Sequence, residues 1–412
     1  MKLSLEKTAV PITLTEGIAD TAVNAFTQAD YTNLTQLPHA PETAELKELL
    51  AETRILGIRS RTKITAEILD AAPRLIALGC FCIGTNQVDL SAARNRGIPV
   101  FNAPFSNTRS VAELTVCAII ALLRGIPEKN ALLHRGEWQK SAQGANEARG
   151  KALGIVGYGN IGAQVSVLAD ALGMQVYYFD TASKLPHGTA QPVDSLTALY
   201  EVADVITYHV PETPETIGMV DTGALAQMKP GVKLINYARG SLINIPALCE
   251  ALEAKKVSGV ALDVYPDEPE QNGPTFTSPL CQYDNILLTP HIGGSTQEAQ
   301  ANIGREVAHK LVTYSDNGST IGAVNFPEVN LPLHSGAHRI LNIHQNIPGM
   351  LSQINAIFSD AGANILGQFL QTQSDVGYVV VDIDDTTSTE EIQTFRTKLQ
   401  ELSGSLRTRI LH

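Results

Sequence analysis

Arg239, Glu268 and His291 each stand one to four residues behind a short apolar run: Leu234 to Ala238, Gly259 to Val264 and Ile286 to Thr289. Their chemistry is complementary. Histidine is the side chain whose unperturbed pKa suits proton exchange near neutrality. A carboxylate bonded to the far ring nitrogen fixes the tautomer and favours the imidazolium, so one residue can serve as base and as acid. A guanidinium fork can hold a carboxylate and polarise a neighbouring carbonyl while charge develops on its oxygen. If the apolar runs are parallel strands, all three residues lie on the rim where open α/β sheets bind ligands.

The element that would bring them a redox partner lies upstream. Leu153 to Val156 leads into the turn Gly157-Tyr158-Gly159-Asn160-Ile161-Gly162, then a helical stretch, a second apolar run Met174 to Phe179, and Asp180. This order predicts a βαβ unit around a dinucleotide, with the pyrophosphate at the helix N-terminus. Ile161, Val165, Leu168 and Leu172 recur at helical spacing, and Gly173 supplies a stop. Asp180, eighteen residues past Gly162, can accept both ribose hydroxyls and would repel the extra phosphate of NADP. The expected cofactor is NAD.

Apolar runs from Ile55 to Val100 (Ile55 to Ile58, Leu75 to Leu78, Ile98 to Val100) predict a first parallel sheet. Ser110-Val111-Ala112-Glu113 reads as a capping box before a buried helix from Leu114 to Leu123, closed by Gly125. Further strands are expected near Val205 to Val210. Gln297 to Tyr314 reads as a long helix and Ser315 to Ser319 as a loop. Beyond Pro332 the order changes: strand (Arg339 to His344), helix (Gly349 to Ala361), strand (Ile365 to Gln371), strand (Tyr378 to Ile383), helix (Thr389 to Leu402), strand (Leu406 to Leu411). This βαββαβ order predicts a small ferredoxin-like module with a regulatory or oligomerising role.

The composition narrows the field. A chain of 412 residues, 44% hydrophobic and 17% charged, has ample core for two to four domains. A net charge of −12 argues against nucleic acid and anionic membranes as partners. Met1 to Leu14 holds no continuous apolar segment, and no run of eighteen apolar residues follows, so a cytoplasmic protein is expected. Five cysteines favour reduced thiols over a disulfide framework. Cys80 and Cys82 would share a strand face as core thiols, and no metal site is expected.

Ala238-Arg239-Gly240, Asp263 to Pro269 and Thr289-Pro290-His291-Ile292-Gly293-Gly294 resemble the signatures of the D-isomer-specific 2-hydroxyacid dehydrogenases. Gly57 to Arg61, Gly79 to Asp89 and Asn102 to Glu113 extend the resemblance, and the tail is similar to an ACT domain. Within that family the resemblance is closer to members that oxidise 3-phosphoglycerate to 3-phosphohydroxypyruvate, the first step of L-serine synthesis. The runner-up is another small 2-hydroxy or 2-keto acid; a NAD-sensing binding protein would not need the three rim residues.

The resemblance implies two Rossmann-like doubly wound parallel-sheet domains plus a ferredoxin-like ACT domain. The substrate-binding domain would be 1–106 with 293–332, the NAD domain 107–292 and the ACT domain 335–412. It implies that Gly157, Gly159, Asn160, Ile161, Gly162, Asp180, Tyr237, Ala238, Arg239, Asp263, His291, Gly293 and Gly294 surround NAD. Arg59, Ser60, Arg61 and Asn107 would meet the substrate, with the choice between phosphate and carboxylate open. His344, Asn346 and Asn364 match positions that hold L-serine as an effector between paired subunits of a homotetramer. One departure is local: the family often has a basic residue before Pro348-Gly349, where this chain has Ile347.

Overall fold

Strands buried on both faces need near-continuous apolar runs, and here such runs assemble two parallel sheets. The computed structural model describes residues 4–269, 273, 276–332 and 336–411. The chain divides into two compact units, Met1–Ser106 with Gln300–His412, and Asn107–Ala299.

In the first unit, five parallel strands run in the order Leu34–Gln36, Ile12–Leu14, Ile55–Ile58, Ala77–Cys80 and Val100–Asn102. This is a doubly wound order, and its direction reverses between Ile12–Leu14 and Ile55–Ile58. Apolar runs mark this sheet in the sequence only from Ile55, and its first two strands lie outside that expectation. Both are three residues long, and buried Thr13 interrupts the apolar run, its hydroxyl sharing a 2.8 Å hydrogen bond with that of Thr53. The expected runs at 75–78 and 98–100 lie two residues early. Leu75, Ile76 and Ile98 are already buried in the turns that lead into the strands, so apolarity begins before sheet pairing. Cys80 is buried in its strand, whereas Cys82 lies beyond it, accepting from Gln87 at 3.3 Å.

The second unit carries seven parallel strands, ordered Ile286–Leu288, Val257–Leu262, Val232–Asn236, Val205–Tyr208, Ala152–Val156, Gln175–Phe179 and Gln191–Pro192. The chain winds outward from Ala152–Val156 in one direction, then returns to Val205–Tyr208 beside it. The switch point therefore lies between these two strands, next to the glycine turn. The helix that crosses behind this sheet is Thr108–Leu123, with Asn107 as its N-cap and no side-chain capping bond. The expected capping box does not form. Arg109, one turn before Glu113, takes its carboxylate through Nε at 2.6 Å, and the Ser110 hydroxyl pairs instead with that of Thr296 at 2.8 Å.

Gln297–Asn317 is one helix, so the expected loop begins three residues late; the Tyr31 hydroxyl bonds Ser315 and Asp316 at 2.7 Å and holds its last turn. The tail forms an antiparallel sheet ordered Ile365–Gln373, Val376–Asp384, Ala337–Gln345 and Ser405–Leu411, with helices Met350–Ser359 and Thr389–Glu401. The expected start at 335 lies outside the described residues. Ile340, Val379 and Val381 meet Ile354, Phe358 and Phe395 of the helices, while Leu341, Ile343 and Tyr378 join the core of the first lobe. Arg339, fully buried, makes two 2.7 Å bonds to the Asp382 carboxylate and donates to Asn317 O and Pro332 O. Lobe and tail thus share one core, and Arg339, ion-paired within the tail, ties it to the lobe through two carbonyls. Among the described residues, no single helix is long and apolar enough to cross a membrane.

Candidate active site

The glycine turn opens directly from the buried strand Ala152–Val156. Gly157 adopts φ 90°, and a Cβ there would stand 2.6 Å from His209 O of the neighbouring strand end. Only glycine satisfies both conditions. Among the described residues, nothing lies within 4 Å of where a Cβ would stand at Gly159, which leaves its backbone open to a ligand, and Asn160 and Ile161 begin the helix Asn160–Ala171 with Gly162 buried behind them. Asp180 follows Gln175–Phe179. Its two oxygens accept from Tyr158 N at 2.8 Å and Ala182 N at 2.9 Å, which aims the carboxylate and leaves lone pairs for hydroxyl donors.

The next strand ends bring the rest of the rim. Tyr237 and Ala238 follow Val232–Asn236; among the described residues, the buried Tyr237 hydroxyl has no partner, and neither has Nδ1 of His209. Burial pushes His209 down to about 3, so its ring stays neutral. Two orphaned polar atoms on one rim, beside an open glycine, fit a polar ligand such as a nicotinamide dinucleotide. In the sequence His209 carries no signal beyond its place in the expected strand near Val205 to Val210, which ends at Tyr208.

Asp263, buried one residue past Val257–Leu262, collects the loop of the adjacent strand. It accepts from the Thr289 hydroxyl at 2.6 Å, Ile292 N at 2.8 Å and Gly293 N at 2.6 Å. His291, between these anchors, has φ 53°, an uncommon left-handed conformation for a residue with a side chain. Its Nδ1 lies 2.7 Å from Glu268 Oε2, and Glu268 Oε1 accepts from Tyr265 N at 3.1 Å. Tyr265 is itself tied to Leu262 O and Thr289 O through its hydroxyl. Glycine at 240 lets the Arg239 loop press against the Tyr265–Pro266 peptide, where a Cβ would collide. Arg239 is exposed, its Nη1 donating to Ala238 O at 2.7 Å.

The charges reinforce one another. The Glu268 hydrogen bond holds His291 above its ordinary value; burial and Arg239 act against this, and the charges of Glu268 and Asp263 act with it. Burial would raise Glu268, yet the His291 bond, the Tyr265 amide and the charges of His291 and Arg239 outweigh it and keep the carboxyl below the usual range. The product is an imidazole ready to carry a proton on its free nitrogen beside a fixed cation.

The first unit has its own polar rim at its switch point. Arg59, Ser60 and Arg61 follow Ile55–Ile58, and Glu16, which the sequence reading missed, lies two residues past Ile12–Leu14. Its buried carboxylate accepts from Arg59 N (3.0 Å), Arg61 N (3.0 Å) and Thr62 N (2.9 Å). These bonds fix the turn while Ser60 and Arg61 stay exposed. Asn107 belongs to the other unit, buried with its amide against Gly294. In the tail, His344 is buried with Nδ1 unpartnered among the described residues and Asn346 donates to Ser374 O at 3.2 Å, both at one end of the strand Ala337–Gln345. Asn364 precedes Ile365–Gln373, at the opposite end of the sheet, so one chain does not bring these three together.

Residues 116–293 match the family model described as D-isomer specific 2-hydroxyacid dehydrogenase, NAD binding domain, and residues 340–404 match an AHAS small subunit-like ACT domain. The chain belongs to the D-isomer-specific 2-hydroxyacid dehydrogenase family and is an NAD-dependent oxidoreductase with an ACT domain. Over its whole length it is 52% identical to the D-3-phosphoglycerate dehydrogenase of Escherichia coli (strain K12), covering 100% of both chains. It is likewise 52% identical to the enzyme of that name from Haemophilus influenzae, covering 100% of this chain and 99% of the relative. Among solved structures, D-lactate dehydrogenase from Aquifex aeolicus complexed with NAD and lactic acid matches 74% of this chain and 95% of its own, with TM-score 0.61 and 26% identity.

Proposed function

We propose that this chain oxidises 3-phosphoglycerate to 3-phosphohydroxypyruvate with NAD, reversibly, as the first step of L-serine biosynthesis. The observation that carries the chemistry is the 2.7 Å contact between His291 Nδ1 and Glu268 on the dinucleotide rim. The substrate follows from full-length likeness to relatives of that name. NAD, when bound, supplies the hydride acceptor. Glu268 holds Nδ1 of His291, leaving Nε2 to take the proton of the substrate hydroxyl and to return it in reduction. Arg239 grips the substrate carboxylate and stabilises negative charge on the carbonyl oxygen. Asp263 keeps the His291 loop in register. Asp180 accepts the adenosine ribose hydroxyls, and the amides of the glycine turn, with Asn160 and Ile161, receive the pyrophosphate. Tyr237, Ala238, Gly293 and Gly294 line the nicotinamide end. Arg59, Ser60, Arg61 and Asn107 bind the phosphate and carboxylate, with Glu16 positioning the arginine turn.

The enzyme works as a cytoplasmic homotetramer in which L-serine binds His344, Asn346 and Asn364 where two tails pair. Support comes from the tail's sheet edge: Ile365–Gln373 ends the sheet and exposes Leu366 and Leu370. Following NADH consumption with 3-phosphohydroxypyruvate, with and without L-serine, tests both parts. Turnover that falls with serine is expected. Absence of turnover refutes the reaction; turnover indifferent to serine refutes the sensor alone.

A further inference from the structure

We propose that a cavity between the first lobe and the tail, walled by Arg54, Arg396 and Arg409, binds a phosphate-type oxyanion. The cavity has a volume of about 990 Å³ and lies at the amino ends of the five-stranded sheet. Arg54 immediately precedes Ile55–Ile58, whereas Arg59 and Arg61 follow that strand at its other end, roughly 13 Å away along four residues of extended chain. It is therefore a separate site from the rim assigned to substrate. Arg396 comes from the helix Thr389–Glu401 and Arg409 from the strand Ser405–Leu411.

The guanidiniums there have donors to spare. Among the described residues, Nη1 of Arg409 is buried with no hydrogen-bond partner, Nη2 reaches only Ser315 O at 3.5 Å, and the group lies over the Tyr314 ring at 4.8 Å. Among the described residues, Arg54 and Arg396 make no side-chain hydrogen bond or ion pair. Burial first, and then the like charges of Arg409, Arg74 and Arg396, hold Arg54 below its ordinary value. Arg407 stands behind, depressed by burial and by Arg409 and Arg54, with Nη1 turned away to Leu75 O.

The nearby acids do not neutralise this group. Asp316 already accepts from Lys7 Nζ at 2.8 Å and from the Tyr31 hydroxyl at 2.7 Å. Two further acids line the cavity, Glu6 and Asp30, against three guanidiniums. In a chain of net charge −12, such a cationic concentration is local and is costly to assemble. A tetrahedral oxyanion offers acceptors on several faces and matches guanidinium forks converging from different elements. Because those forks come from the lobe and from the tail, the ligand would bridge them.

The test titrates inorganic phosphate into the full-length protein at constant ionic strength, read by calorimetry and by the thermal midpoint. Saturable binding is expected in the wild type, about tenfold or more weaker in R54Q/R396Q, and unchanged in R59Q/R61Q. In phosphate-free buffer R54Q should not lower the midpoint, because it removes repulsion; a drop would mean that the arginine is structural and would count against the site. If R54Q/R396Q does not fold, R396Q alone should weaken phosphate about threefold. A parallel titration with 3-phosphoglycerate in R59Q/R61Q shows whether free phosphate or a phosphoester is preferred. No saturable phosphate binding, or equal binding in wild type and R54Q/R396Q, overturns the proposal.

Discussion

Each of the two parallel sheets uses a buried carboxylate at one strand end to hold the loop of the adjacent strand. In the dinucleotide unit Asp263 gathers a hydroxyl and two amides around His291; in the other unit Glu16 gathers three amides around Arg59 to Thr62. The partners differ in kind. Asp263 fixes a loop whose histidine must keep one orientation, and a second carboxylate, Glu268, then grips the ring. Glu16 fixes three backbone amides and pairs with Arg61 Nε at 3.7 Å, while the Arg61 side chain remains 55% exposed. One rim is built for proton transfer in a set geometry. The other is built to offer positive charge from a fixed base on adaptable arms.

Three sets of variants put that contrast under strain. The largest effect is expected for His291→Ala, which should lower kcat by about 10² to 10⁴ while NADH affinity, followed by fluorescence, changes little. Equal loss of both would assign the histidine a structural job and remove the contrast. Next, Asp263→Ala and Glu16→Ala each orphan three donors, at about 1–3 kcal/mol for each group that water cannot reach. Asp263→Ala should depress kcat at least tenfold, whereas Glu16→Ala should raise KM for the phosphorylated acid about tenfold and leave kcat within about threefold. If Glu16→Ala costs kcat as much as Asp263→Ala, the two rims do not divide the work.

The smallest effect sharpens the comparison rather than breaking it. Glu268 is the largest cause holding the His291 pKa up, so Glu268→Gln should let it fall. Oxidation needs the neutral imidazole, so the acid limb of its pH–rate profile moves to lower pH. Reduction needs the imidazolium, so its alkaline limb also moves lower, and reduction at a pH above the new value drops roughly tenfold. A profile that stays in place, or moves upward, would remove Glu268 from the proton path.

Much of the dinucleotide unit could be read along the chain because its signals are contiguous. Gly157 to Gly162, the helical repeat behind it and Asp180 lie within one βαβ unit, and each of Arg239, Glu268 and His291 closely follows its own apolar run. The first unit hid more. Ile12–Leu14 and Leu34–Gln36 are too short and too rich in threonine and glutamine to show a period, and Glu16 looks like any exposed acid until its strand is placed beside Ile55–Ile58. The capping box at Ser110 failed because Arg109 and Thr296 offered its side chains other partners.

Sequence alone thus determined the residue types on each rim, the order of the elements and the preference for NAD, since strand and helix periods and the glycine turn are local properties. Tertiary structure decided which groups touch. Glu268 met His291 across 23 positions, Glu16 met Arg59 across 43, and Arg54 met Arg409 across 355. A hydrogen bond or a repulsion between charges depends on distances of a few ångströms, and only the pairing of strands and the packing of lobe on tail set those distances.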